Sequence, residues 1–153
     1  MTKNKKIILL FLTIILIVVS IAFRITIKEI NRARSFERFK DEAKEVSLQF
    51  DRDLLSSNSN YEFLNDYNIG ADGSVVVVDS KSVVLFHRVD ELVGEKVPIP
   101  EVTKMLEESL NQPAKDKKDI FFTYVFNDSE KMAYLHNTND QEILLIIVLI
   151  DSY

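Results

Sequence analysis

The chain has no cysteine, and its 153 residues include only three glycines and three prolines. Without cysteine there is no disulfide framework, no thiolate nucleophile and no cysteine-ligated zinc or iron–sulfur site. With so little glycine, the sequence contains neither a GxGxxG pattern nor a Walker-type phosphate loop. Nucleotide-binding classes built on such loops are therefore excluded, and a domain of this composition must rely on its hydrophobic core.

Acidic residues outnumber basic residues in the part of the chain that follows the first 23 positions. From Arg24 onward the chain carries 16 basic and 24 acidic residues. Such an excess of acids argues against nucleic acid as a partner and against broad docking on anionic lipid. The remaining length is enough for one domain with its own core and too short for two.

Charge is absent altogether from the 17 residues between Ile7 and Phe23, which directly follow Lys3, Lys5 and Lys6. At about 1.5 Å per helical residue this run spans roughly 26 Å, close to the ~30 Å hydrocarbon core of a bilayer. The lysines that precede it predict a cytoplasmic N-terminus by the positive-inside rule. We therefore expect a single-pass protein of the cell membrane, with residues 1–23 as cytoplasmic stub and anchor and the bulk of the chain outside the cytoplasm.

A cleaved signal peptide is the competing interpretation of the same segment. The basic start, the apolar stretch and the small residues Ser20 and Ala22 fit that pattern. The apolar run is longer than the usual h-region of about 7–15 residues, however, and Arg24 follows at once. These two features favour the uncleaved anchor.

A long amphipathic helix is predicted over residues 24–57, which contain no glycine or proline. Its apolar positions recur at intervals of three and four, as expected for one face of a helix: Phe36, Phe39, Ala43, Val46, Phe50 and Leu54. This stripe can pack on the domain that follows. Because the same spacing is typical of coiled coils, it can also form a homodimer seam from Phe36 to Leu54.

Residues 58–153 show strand patterns around one short helix. The predicted strands are Ser74–Asp79, Val83–Arg88, Ile120–Phe126, Lys131–His136 and Gln141–Asp151. The helix begins at Pro100, has one apolar face and ends at Pro113. Val76, Val78, Leu145 and Ile147 are expected in the core of central strands. The order predicts an α+β fold in which a five-stranded antiparallel, PAS-like sheet carries helices on one face.

Several motifs in this region resemble the Cache family of sensor domains. They are the run Gly70–Asp79, the strand Val83–His87, the segment Glu91–Lys96 and the pair Lys131 and Tyr134. The resemblance covers Asp66 to Asp151, and the anchor followed by a long helix matches the usual layout of the family. Three features differ from the family pattern: Ser74 replaces an aromatic residue, Ser80–Ser82 lacks the usual turn glycine, and Arg88 replaces proline.

The resemblance implies an extracytoplasmic input domain that binds a small molecule, such as an amino acid or a carboxylate, on the concave face of the sheet. The residues that it places there are His87, Arg88, Tyr124, Lys131 and Tyr134. Arginine, lysine, tyrosine and histidine are suitable donors for a carboxylate. The expected function is a ligand-sensing module without its own output domain, which would act through a separate membrane signalling partner.

No catalytic, metal or cofactor site is predicted. His87 and His136 are the only histidines, and neither lies in a metal-binding spacing such as HExxH. The sequence also lacks a nucleophile elbow and a glycine-built oxyanion hole, so an anchored hydrolase is disfavoured. The alternatives to a sensor are a bitopic assembly protein with a pilin-like layout, or a module that binds a protein partner and no small molecule.

Overall fold

The computed structural model describes residues 3–56, 61–67, 69, 73–112, 118–138 and 143–150, with side chains from Leu10 to Val148. Its α-helices are α1 (Lys3–Ser56) and α2 (Pro100–Leu110), and short 3₁₀-helices cover Glu62–Asp66 and Asp90–Leu92. Its strands are β1 (Gly73–Asp79), β2 (Val84–Phe86), β3 (Ile120–Phe126), β4 (Ser129–Asn137) and β5 (Ile143–Ile150). The chain divides into two compact units, Met1–Arg38 and Phe39–Tyr153.

The first unit is helical throughout its described part. This helix contains an 18-residue stretch that is apolar enough to cross a membrane. Its mean hydropathy is 2.6, and none of it is buried. Every side chain from Leu10 to Phe23 is exposed, on all sides of the helix. By length and composition, α1 can therefore cross a membrane, as the uncharged run predicts.

The second unit contains a five-stranded sheet in the order β2-β1-β5-β4-β3, in which every neighbouring pair is antiparallel. The predicted α+β class and the five-stranded antiparallel sheet are thus confirmed. Strand β5 is central, and its Leu145 and Ile147 are fully buried, as is Val78 of β1. Val76 is only partly buried, because it lies beside the cavity described below.

Helix α2 and the part of α1 beyond Arg38 lie on opposite faces of this sheet, which corrects the expectation that the helices cover one face. Helix α2 contributes Val102 and Leu106 to a core with Val78, Leu144 and Ile146. The part of α1 beyond Arg38 packs on the other face, where the Phe39 ring meets the Phe121 ring edge-on at a centroid distance of 6.3 Å. The valine-rich and leucine-rich strands are apolar on both sides, so each face requires its own cover.

The apolar stripe of α1 packs against other parts of the same chain. Phe39, Ala43 and Phe50 are almost completely buried, and Ser47 on the same side lies 3.5 Å from the Tyr134 hydroxyl. These side chains are therefore not available for the homodimer seam that the spacing from Phe36 to Leu54 also allowed. The periodicity is the same for both arrangements, so the spacing alone does not distinguish between them.

Strand boundaries differ from the prediction at the turns. Strand β4 begins at Ser129 because Asn127 and Asp128 both adopt positive φ, 52° and 58°, and form a two-residue hairpin turn. Strand β2 is shorter than predicted, since Val83 pairs with Lys96 in an isolated bridge. Pro113 and both ends of the predicted strand Gln141–Asp151 lie outside the described residues.

Candidate functional site

A cavity of about 380 Å³ lies between the sheet and the segment that leads into α2, and we call it the α2 cavity. Its walls are mostly apolar and include Val76 of β1, Ile146 and Val148 of β5, and Val102 of α2. Its polar lining side chains are Ser74, His87, Lys96, Tyr124 and Lys131. An apolar pocket with a few convergent polar groups is the usual form of a small-molecule site.

Strand alternation explains why these side chains share one face. Val76 pairs with Ile146, and Tyr124 pairs with Lys131, in antiparallel registers that put partners on the same side of the sheet. The roof is the extended segment Val97–Ile99. It is tied to α2 because the Thr103 hydroxyl donates to the carbonyl oxygens of Val97 and Ile99, at 3.2 and 3.1 Å.

Two of the polar groups have perturbed protonation. Burial raises the pKa of Tyr124, so its phenol remains a neutral donor at physiological pH. Burial lowers the pKa of His87, and its Nδ1 accepts the backbone N–H of Val89 at 2.9 Å. The neutral ring therefore carries its proton on Nε2, which makes that nitrogen a hydrogen-bond donor.

The charged side chains among the described lining residues of the cavity are all basic. Among the described lining residues there are two lysines, Lys96 and Lys131, and neither aspartate nor glutamate. Lysine side chains on otherwise apolar walls suit a ligand with an apolar body and an anionic end. A ligand cation would find no carboxylate partner on this lining.

The structure brings three of the five predicted site residues together in the α2 cavity: His87, Tyr124 and Lys131. Tyr134 lies on the opposite face, fully buried, and donates its hydroxyl proton to Asp119. The reason is visible in the spacing. Lys131 and Tyr134 are three residues apart in one strand, and an odd separation places side chains on opposite faces.

Arg88 also lies outside the α2 cavity. Its Nη2 donates to the carbonyl oxygen of Tyr67 at 2.8 Å, and it lines a separate groove of about 420 Å³. That groove also contains Glu62 and Asp90, so it lacks the one-sided positive charge of the α2 cavity. The expectation that Arg88 and Lys131 face a common ligand therefore does not hold geometrically.

Sequence reasoning missed Lys96 and the roof segment. The signal available was the alternation of Val97 and Ile99 around Pro98, directly before the helix start at Pro100. It shows an extended apolar segment, but it does not reveal that the segment folds back over the sheet. The bridge between Val83 and Lys96 makes that connection, and it joins residues on either side of a whole loop.

No protein-family model matches the chain, and no curated protein matches its sequence. Among solved structures, the ligand-binding domain of Mlp24 with asparagine aligns with a TM-score of 0.42 and 15% identity, over 57% of this chain and 32% of that one. An extracellular ligand-binding receptor from Desulfohalobium retbaense DSM5692 aligns with a TM-score of 0.32 and 6% identity, over 50% of this chain and 12% of that one. A sensory box sensor histidine kinase from Vibrio cholerae aligns with a TM-score of 0.41 and 13% identity, over 72% of this chain and 98% of that one.

The names of these three structures describe a ligand-binding domain, an extracellular ligand-binding receptor and a sensor histidine kinase. The chain spans about a third of the length of the Mlp24 domain and a smaller share of the receptor. Since all three TM-scores lie below 0.5, neither ligand nor mechanism is carried over from them.

Proposed function

We propose that residues 39–153 form an extracytoplasmic sensor domain that is held at the membrane by α1 and binds a small organic acid in the α2 cavity. The supporting observation is the combination of apolar walls with Lys96 and Lys131 in a space of about 380 Å³. That volume lies within the range of about 300–1,000 Å³ found for ligand pockets.

The polar lining distinguishes between the two ligand classes that the sequence suggested. The lining offers a carboxylate the ammonium group of Lys96 or that of Lys131, and it offers Tyr124 and His87 as neutral donors. An α-amino acid brings an ammonium group as well, and burying that charge without a counter-charge is costly. The described lining provides no carboxylate for it, so a simple carboxylate is the better fit.

A thermal-shift panel on the full chain in detergent micelles tests this proposal. Three probes with the same carbon skeleton separate the chemistry: 4-methylpentanoate, its isosteric amide 4-methylpentanamide, and leucine, which adds an α-ammonium group. Ligand at 100 times its dissociation constant should add about 2.7 kcal/mol to the free energy of unfolding. We expect the carboxylate to raise the melting temperature most. Equal shifts for the acid and the amide would contradict a role for the lysines.

Matched lysine variants locate the binding site. Lys131→Met keeps an apolar side chain of similar length and removes the ammonium group. Since a hydrogen bond to a charged group contributes about 1.5–3 kcal/mol, affinity for the carboxylate should fall roughly ten- to hundredfold. Lys81→Met, in the exposed turn after β1, is the control and should leave affinity unchanged. If both variants bind like the parent chain, the ligand does not occupy the α2 cavity.

A further inference from the structure

A cluster of titratable side chains lies on the face of the sheet opposite the α2 cavity, and we call it the His136 cluster. His136 Nδ1 lies 2.8 Å from Asp119 Oδ1, and His136 Nε2 lies 3.2 Å from Asp51 Oδ2. The Tyr134 hydroxyl donates to the other oxygen of Asp119. The Ser47 hydroxyl lies 3.5 Å from the Tyr134 oxygen.

This cluster joins elements that are distant in the sequence. Asp51 and Ser47 belong to α1, Asp119 directly precedes β3, and Tyr134 and His136 belong to β4. The neighbour of His136 on β5 is apolar, since His136 is in register with Leu145. His136 is only 8% exposed, so water does not readily replace a lost partner.

The number of protons on His136 decides which of these contacts can exist. A carboxylate only accepts hydrogen bonds, so contacts to both Asp51 and Asp119 require an N–H on both ring nitrogens. The doubly protonated imidazolium has two such groups, whereas the neutral ring has one N–H and one lone pair. After deprotonation one carboxylate therefore faces a lone pair.

The geometry indicates which contact is lost. Asp119 lies 2.8 Å from Nδ1 and also accepts from Tyr134, which fixes its position, whereas Asp51 is held at the longer distance of 3.2 Å. The neutral ring should therefore keep Nδ1–H toward Asp119 and turn the Nε2 lone pair toward Asp51. The contact that becomes repulsive is the one between the sheet and α1.

We propose that the His136 cluster is a proton-dependent contact between α1 and the sheet, closed when His136 is doubly protonated and released at Asp51 when His136 loses a proton. It acts on residues Ser47 to Asp51, in the last turns of the helix whose N-terminal part can cross a membrane. The proposal is independent of whether the α2 cavity binds a ligand, because the two sites lie on different faces of the sheet.

The protonation energetics agree with this geometry. Burial, the largest single influence, opposes a charge on His136, but Asp119 and Asp51 together outweigh it and raise its pKa above 6.5. Burial likewise works against a charged Asp119, but the hydrogen bonds from His136 and Tyr134 dominate and hold its pKa below 3.8. A raised histidine pKa stabilises the fold fully below the unfolded value of about 6.5, and this stabilisation is lost as the pH rises through the folded value.

The test compares the full chain in detergent micelles with its Asp51→Asn variant between about pH 6 and about pH 9. Asparagine can accept from a protonated ring and donate to a neutral one, so its contact with His136 survives deprotonation. We expect the parent chain to lose melting temperature across this range and the variant to lose less. Amide hydrogen exchange, corrected for its intrinsic pH dependence, should increase around residues 47–56 only in the parent chain.

Asp53→Asn is the matched control, because Asp53 accepts from the Tyr67 hydroxyl at 2.7 Å and does not contact a histidine. It should keep the parent pH profile. Identical profiles for the parent and Asp51→Asn would overturn the proposal.

A second measurement follows the titration in the parent chain and uses a variant only to assign the signals. The chain has two histidines, so its ring-proton NMR spectrum contains two titrating sets, which His87→Gln assigns. We expect His136 to titrate above 6.5 and His87 below it. A His136 ring that titrates at or below its ordinary value would overturn the proposal, because the contact would then be open at neutral pH.

Discussion

At the scale of single residues, the turn between β1 and β2 shows how one side chain replaces a missing glycine. Asp79 Oδ1 accepts the backbone N–H groups of Lys81 and Val83, both at 2.8 Å. Ser82 adopts a φ of 62°, in the left-handed region that the glycine of the Cache pattern would occupy more easily. The aspartate bonds compensate for a strained position.

Replacing Asp79 by alanine should therefore cost about 1–3 kcal/mol of unfolding free energy, because two turn N–H groups lose their acceptor. Asp79→Asn keeps an acceptor oxygen and should cost less. Chemical denaturation of the full chain in detergent measures both variants. Equal losses for alanine and asparagine would show that the charge, and not the acceptor oxygen, stabilises the turn.

Two glycines allow steric and conformational requirements to be separated. A Cβ at Gly73 would overlap the carbonyl oxygen of Ile69, whereas a Cβ at Gly94 would meet nothing within 4 Å. Gly94 has a φ of 88°, so alanine there suffers only from the backbone conformation, at a cost of about 1–2 kcal/mol. Gly73→Ala should lower the melting temperature more than Gly94→Ala. The reverse order in a thermal melt would contradict the close approach of Ile69.

At the scale of elements, β4 divides the functional chemistry between the two faces. Lys131, Ala133 and Leu135 face α2 and its cavity, while Tyr134 and His136 face α1. Alternation along a single strand therefore supplies one polar group to the α2 cavity and two to the His136 cluster. Each face can be altered without touching the other.

Strand β1 offers a prediction based on the same alternation. Val77 is completely buried, and Val77→Asp should cost several kcal/mol, close to the whole stability of a small domain. Val76 lines the α2 cavity, so Val76→Asp should destabilise less and should abolish binding of an organic anion by adding a negative charge to the cavity lining. Thermal melts with and without 4-methylpentanoate check both outcomes. If Val76→Asp melts as low as Val77→Asp, residue 76 is not at a cavity.

The helices and strands could be predicted from the sequence because each depends on the spacing of apolar residues within one short segment. The stripe from Phe36 to Leu54 and the valine run of β1 both gave the right kind of element. Choosing between a dimer seam and a sheet for that stripe was not possible, because both partners accept the same spacing. The His136 cluster was also out of reach, since Asp51 and His136 are 85 positions apart and meet only after the sheet has formed.

The candidate site was predictable in part for the same reason. The resemblance named His87, Tyr124 and Lys131, which lie at strand positions or strand ends and line one cavity, and their role in binding stays a prediction. It failed for Tyr134, where counting residues from Lys131 would have indicated the opposite face. For Arg88 no local signal was available, because its partner is the backbone of Tyr67, in a loop that no periodicity describes.

At the scale of the whole molecule, the distribution of charge sets the expected topology. Three lysines precede the uncharged run, and the chain beyond it has an excess of acids. The helix that contains this run is long and apolar enough to cross a membrane. These features predict an inside N-terminus and a sheet domain outside the cytoplasm.

The absence of cysteine makes this topology directly testable, because a single introduced thiol is the only one in the chain. Lys81→Cys places it in an exposed turn of the sheet domain, and Asn4→Cys places it among the N-terminal lysines. In intact spheroplasts, a membrane-impermeant maleimide should label the Lys81→Cys variant and should label the Asn4→Cys variant only after lysis. The opposite pattern would invert the orientation. A labelled product in the soluble fraction that begins near Phe23 would instead identify the segment as a cleaved signal peptide, and the sheet domain would then act without an anchor.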